Sequence, residues 1–229
     1  MSEHMALENL TVLDLTRVLA GPFCTMMLAD MGANVIKIEV PKGGDDTRSY
    51  PPFRAKNLNG ERESVYFANI NRNKKGITLN LKAPEGKEIF KELVKKADIV
   101  VENYRPGVMD KLGLGYDVLK EINPRIIYAA VSGFGCYGPY HLRPGYDILA
   151  QAMGGMMSIT GSKGGEPTRA GSALGDILGG LHVTIGILAA VNARTITGKG
   201  QRVDVSLMDS MIAATENTAL TVSYTHLRA

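Results

Sequence analysis

Asp176 stands in GSALGDILGGLH, between a glycine-rich approach and a long apolar stretch. A carboxylate there has two uses. It caps the helix that follows, the commonest role of aspartate at such a place. Or, held ionised by the helix dipole, it serves as a nucleophile at neutral pH. Gly179 and Gly180 follow in the first turns, where better helix formers are the norm, and they open space beside the carboxylate. The residues alone leave cap and nucleophile equally open.

Histidine chemistry finds less support. His4 and His226 lie in the chain ends, and His182 falls within the apolar stretch as a satisfied core residue. His141, in a glycine-rich loop, is the histidine placed to meet a ligand. There is no G-x-S-x-G, P-loop or H-E-x-x-H pattern, and Cys24 and Cys136 give neither a disulfide framework nor metal-ligand spacing. Gly133, Gly135 and Gly138 match the dinucleotide spacing G-x-G-x-x-G directly after the strand-like RIIYAAV. That fingerprint needs a helix opening on its glycines, with the pyrophosphate at the helix N-terminus. Pro139 and Pro144 cannot continue such a helix, and the run follows the fifth strand rather than the first. A nicotinamide dehydrogenase is therefore disfavoured. The run is expected to be a loop that brings backbone close to a ligand.

The elements that must position these residues alternate between short β-branched runs and helical stretches. LTVLDLT, NVIKIEV, GITLNLK, DIVVEN, RIIYAAVSG and RVDVSL read as strands. Helices are expected from about Pro22 to Met31, over APEGKEIFKELVKKA, over YDVLKEINP, from about Leu174, and over MDSMIAATENTAL. The helix from Leu174 presents Ile177, Leu178, Leu181, Ile185 and Leu188 on one face as its apolar contact. This alternation predicts an α/β fold, a Rossmann-like parallel sheet with helices on both faces. Ligands of such sheets gather outside the carboxyl ends of the strands. Those ends carry TRVLAGP, EVPKGGD, ENYRPG and SGFGCYGP, all turn-rich and several basic, which suits an elongated anionic ligand.

Composition is consistent with this. Of 229 residues, 45% are hydrophobic and 21% charged, ordinary for a globular protein. A net charge of +3 is too small and dispersed for a nucleic-acid partner. No signal peptide is recognisable and no apolar run is expected to span a membrane, so a cytoplasmic setting is expected.

The chain resembles the class III (family III) CoA-transferases, a group that includes the related acyl-CoA racemases. The resemblance rests on AGP, GANVIKIE, NRNKKGITLNLK, ENYRPG, PGYD, TGKGQ and the GD followed by a spaced G and GILAA. It implies the N-terminal part of an interlocked-dimer fold: a large Rossmann-like CoA-binding domain over 6–199, the start of a connection to a small domain over 200–222, and a non-native or disordered tail over 223–229. It implies Asp176 as the catalytic nucleophile, with an aspartyl anhydride and an aspartyl-CoA thioester as intermediates. CoA contacts are implied for Leu79, Lys82, Asn103, Tyr104, Arg105, Lys111, Arg143 and Tyr146. No tightly bound cofactor is implied; CoA or acyl-CoA and a carboxylic acid are the substrates, and the subunit is a homodimer. Some members carry glutamine where Leu19 stands, which puts small-acid specificity in doubt. Racemases carry histidine where Tyr146 stands. A phenol is a poor base near neutral pH, so transferase is favoured over racemase or epimerase. A non-catalytic CoA-binding fragment is the remaining alternative.

Overall fold

The computed structural model describes residues 4–54, 56, 60, 62–216 and 218. Six strands form one sheet: β1 Thr11–Asp14, β2 Asn34–Glu39, β3 Lys75–Thr78, β4 Ile99–Glu102, β5 Ile127–Ser132 and β6 Arg202–Ser206. Their order is β3-β2-β1-β4-β5-β6, and every neighbouring pair is parallel. The order reverses between β1 and β4, the place where doubly wound sheets open a crevice. Parallel strands need crossovers, supplied here by α1 Ala20–Asp30, α2 Val65–Ile70, α3 Pro84–Val94, α4 Val108–Lys111, α5 Tyr116–Ile122, α6 Asp147–Met153 and α7 Leu174–Thr197; α8 Leu207–Ala214 follows β6.

Strand alternation divides the apolar residues between two cores. Val12, Val35, Ile99, Val101, Ile127 and Ala129 point to the face covered by α1, α7 and α8. Leu13, Ile38, Val100, Tyr128 and Ala130 point to the other, against Phe90 and Val94 of α3 and Leu119 of α5. Burying each such aliphatic or phenyl side chain contributes about 1.5–3 kcal/mol, so both faces must be helix-covered. The expected fold class is the one observed.

Some expected boundaries and faces differ. The first helix begins at Ala20, ahead of Pro22, with proline in its first turn. β6 pairs with β5 from Tyr128↔Arg202 to Ser132↔Ser206, and α8 packs on α7, so the sheet continues past 199. The expected tail over 223–229 lies outside the described residues. In α7 the buried strip is Gly179, Gly180, Val183, Thr184, Ile187, Ala190 and Arg194, whereas Leu181 and Ile185 are exposed. α7 is also long and apolar enough, by length and composition, to cross a membrane, which the sequence reading did not anticipate. Its buried strip packs on α1, β5, β6 and α8. The glycine run after β5 opens no helix; bends and turns lead from it to α6.

Candidate active site

At the carboxyl ends of the strands lies a cleft of about 880 Å³. Its walls come from the loops after β1, β2, β3, β4 and β5, from Arg143 to Tyr146, and from Asp176 at the head of α7. The loop after β1 is held on all sides by side chains of other segments. Asp14 accepts from the Thr16 amide at 2.9 Å. Lys37 Nζ donates to Thr16 O at 2.8 Å and to Asp45 Oδ2 at 2.9 Å. Asn103, across the strand reversal, accepts from Arg17 N at 2.8 Å and donates to Arg17 O at 2.7 Å. Asp45 Oδ1 accepts from Val18 N at 3.2 Å, and Val18 is left-handed at φ 67°. A β-branched residue adopts that conformation only where its surroundings impose it.

Beneath this loop runs a chain of buried charges. Lys74 Nζ lies 3.0 Å from Asp14 Oδ2 and donates to Pro22 O of α1 at 3.1 Å. Burial lowers the Lys74 pKa, against the pull of Asp14. Burial works to raise Asp14, but Lys74 and Lys37 overcome it and hold the carboxyl below the ordinary range. On the other side of the reversal, burial pushes Glu102 up to about 7, although Tyr104 N and Tyr128 Oη donate to it.

Asp176 is the third residue of α7 and half-buried, with its side chain in the cleft wall. It is not the cap. The helix begins after Ala173 without a side-chain cap on itself, and the Gly175 amide donates to Asp147 Oδ1 of α6 at 2.8 Å. Gln151, fully buried one turn along α6, donates to Asp147 Oδ2 at 2.8 Å and accepts from Ala170 N at 2.9 Å, tying the approach to α7 down. The helix dipole is opposed at this position, so it does not hold Asp176 fully ionised near neutrality. Burial first, and then the Asp147 charge, raise its pKa to about 7, with Arg169 pulling the other way. Tyr66 of α2 feels the same site: burial and then the Asp176 charge push its phenol up to about 12.

The glycines after Asp176 serve close packing. A Cβ on Gly179 would stand 2.5 Å from Leu207 Cδ2, and one on Gly180 would stand 2.8 Å from Ala20 O, so the heads of α1 and α7 touch. Gly133 and Gly145 cross in the same manner, a Cβ on Gly133 meeting Gly145 Cα at 2.4 Å. That crossing brings the arm carrying Arg143 and Tyr146 onto the cleft floor.

Of the residues expected at the site, Leu79, Lys82, Asn103, Tyr104, Arg105, Arg143, Tyr146 and Asp176 line this cleft. Lys111 does not. Val108 at the start of α4 and Leu112 just after its end line the cleft, and Lys111 is turned to solvent. Asn103 is in the wall, but both ends of its amide are engaged with Arg17. His141 lies outside the lining, its Nδ1 2.7 Å from Gly138 O. His182 is not satisfied as expected: its buried Nδ1 has no hydrogen-bond partner among the described residues. Arg17, Val18, Asp45 and Ser132 also line the cleft. Their only sequence signal was membership of strand-end loops. No group of histidine, cysteine or acidic side chains among the described residues could hold a metal ion.

A doubly wound parallel sheet, with a cleft at its order reversal and a carboxylate at a helix head in the cleft wall, defines a Rossmann-like α/β protein. The chain belongs to CoA-transferase family III, whose sequence pattern matches residues 7–227. It is 50% identical over 222 residues to an acyl-CoA transferase of Fusarium pseudograminearum, covering 96% of this chain and 49% of that protein. It is 48% identical to a succinyl-CoA:mesaconate CoA-transferase of Haloarcula marismortui, covering 93% of this chain and 54% of the relative. A formyl-CoA:oxalate CoA-transferase of Streptomyces coelicolor is 47% identical over 207 residues, 90% of this chain and 49% of that protein. Among solved structures, a CAIB/BAIF family protein from Brucella suis superposes with a TM-score of 0.91 at 44% identity, covering 96% of this chain and 57% of that one. The chain thus spans about half the length of the curated relatives it matches.

Proposed function

We propose that the chain carries the nucleophile and much of the CoA site of an acyl-CoA:carboxylate CoA-transferase. The observation that carries this reading is Asp176, a carboxylate at a helix head in the wall of a large cleft at the strand ends. Its carboxylate attacks the donor thioester carbonyl, forming a mixed anhydride and releasing CoA thiolate. The thiolate attacks the aspartyl carbonyl, giving an aspartyl-CoA thioester and free donor acid. An acceptor carboxylate then takes the same steps in reverse, and the aspartate is regenerated. One thioester is exchanged for another, so no external energy source is needed. Attack requires the ionised form, which with a pKa of about 7 is half populated near neutrality.

Leu79, Lys82, Tyr104, Arg105, Arg143 and Tyr146 form the proposed CoA wall, and Asn103 acts through Arg17. Lys111 is left out because it faces away from the cleft. The homodimer that the resemblance implies and the cytoplasmic setting expected from the sequence remain part of the proposal, and light scattering of the full-length protein tests the former. In the full-length protein carrying this chain, Asp176→Ala is expected to reduce CoA exchange between a labelled acyl-CoA and an acid by about 10³-fold or more. Hydroxylamine is expected to trap a hydroxamate at position 176 of the parent, seen by peptide mass spectrometry. Exchange at the parental rate in the alanine variant rules out this nucleophile.

One observation favours a rival. A carboxyl titrating near pH 7 is also suited to moving a proton, as in an acyl-CoA racemase. Deuterium incorporation at the α-carbon of a 2-methylacyl-CoA without any acceptor acid identifies that reaction.

A further inference from the structure

We propose that Lys37 and Asp45 are positioning residues for the reaction at Asp176: together they impose the left-handed Val18 turn that seats the head of α1 against the head of α7. The inference rests on the proposed function. Lys37 and Asp45 form an ion pair whose side chains are 2% and 0% exposed. A pair at that depth is weak evidence of a stabilising role, since apolar residues of similar volume often serve stability as well. Its use lies instead in what it holds.

Lys37 has three donors on a compact head, and it uses them to bridge Thr16 O and Asp45 Oδ2. The same Asp45 accepts from Val18 N, and it is itself fixed by the Thr47 amide at 3.0 Å, the Thr47 hydroxyl at 2.8 Å, and by donating its own amide to Glu39 Oε1 at 2.8 Å. The two peptides that lead into left-handed Val18, through the Thr16 carbonyl and the Val18 amide, are therefore gripped by one buried pair. Directly after Val18 the chain enters α1 at Ala20, whose carbonyl faces Gly180, one turn beyond Asp176. Releasing Val18 to the ordinary φ < 0 region redirects the chain at that contact and shifts the wall facing the nucleophile. Misplacement of a reacting group by about 1 Å can cost 10²-fold in rate. Neither Lys37 nor Asp45 need touch the substrate for this.

The test uses Lys37→Met/Asp45→Asn, which removes both charges together and strands neither. Hydrogen exchange of the Val18 amide is read in this chain; kcat and the KM for acyl-CoA are read in the full-length protein carrying it. Expected are faster Val18 exchange, a kcat lower by about 10- to 100-fold, and a KM within about threefold of the parent, with the melting temperature little changed. A folded variant that keeps the parental kcat overturns the proposal. So does a loss of kcat with Val18 exchange unchanged, because the effect then bypasses the turn. If the double variant does not fold, Asp45→Asn alone, which keeps an acceptor for Val18 and Thr47 but strands the Lys37 charge, carries the same expectations for Val18 exchange, kcat and KM, with a lower melting temperature. A parent whose Val18 amide is unprotected overturns the idea without any variant. A parent that protects Val18 but exchanges no CoA counts against the proposed function and not against the turn.

Discussion

Two carboxylates and a guanidinium set the charge at position 176. Burial and Asp147 raise the Asp176 pKa, and Arg169, whose Nε lies 3.6 Å from Asp147 Oδ2, moderates the effect. Asp147→Asn keeps an acceptor for the Gly175 amide and removes the charge. The ionisation midpoint of Asp176, followed by carbon NMR of labelled aspartate, is expected to fall from about 7 in that variant and to rise in Arg169→Ala. The acid limb of the exchange rate should move in the same direction, since attack needs the carboxylate. A midpoint unmoved in both variants removes Asp147 and Arg169 from the account. The sequence exposed Asp176 through its glycine-rich flanks and the apolar stretch behind it. It did not expose the pKa, because Asp147 sits on another helix and burial is a property of the fold. The dipole of α7 is the part of the field that the local sequence reveals; burial and Asp147 are not.

At the scale of elements, the sequence marked the strands well because their β-branched runs are short and punctuated by glycine and proline. It chose the face of α7 only partly right: Leu178 and Leu188 pack against the core, whereas Leu181 and Ile185 do not. That helix is apolar nearly all round, so periodicity had no polar side to mark, and Leu181 and Ile185 looked as suitable for burial as Val183 and Ile187. The glycines were the better guide, since Gly179, Gly180 and Gly186 all face close neighbours. Alanine at a helical glycine ordinarily gains up to about 1 kcal/mol. At Gly180 its Cβ would lie 2.8 Å from the Ala20 carbonyl, a backbone atom that cannot swing aside. Overpacking of this kind costs about 1–3 kcal/mol, so Gly180→Ala is expected to melt below the parent in a thermal scan. Gly171→Ala is the control, with nothing within 4 Å of its Cβ. Equal melting of all three proteins would mean that the α1–α7 contact is looser than described.

For the whole molecule, the site lies where the sheet reverses its order, and the sequence could place it at the strand ends but not at that seam, because strand order depends on which runs pair. The buried charges also give the fold a characteristic pH response. Asp14, Asp45 and Glu39 are held below their ordinary values of 3.8, 3.8 and 4.5, since nearby cations and hydrogen bonds outweigh burial. Their contribution is present above those values and is lost as pH falls through the lowered ones. Asp176 and Glu102 act in the opposite sense. Both are raised to about 7, so their contribution is complete below 3.8 and 4.5 and is lost as pH rises towards 7. The melting temperature is therefore expected to peak on the acid side of neutrality, and Asp176→Asn/Glu102→Gln should flatten the decline towards pH 7. A parent that melts highest at pH 7 or above, or a double variant with an unchanged profile, contradicts this. The alternating row Lys74, Asp14, Lys37 and Asp45 has one more consequence, for how such a chain drifts through generations. Each member neutralises the next, so an isolated replacement leaves an orphaned ion in the interior, while a paired replacement does not. Change around this floor is thus confined to concerted jumps, and two sites that look independent along the chain are bound to a common history.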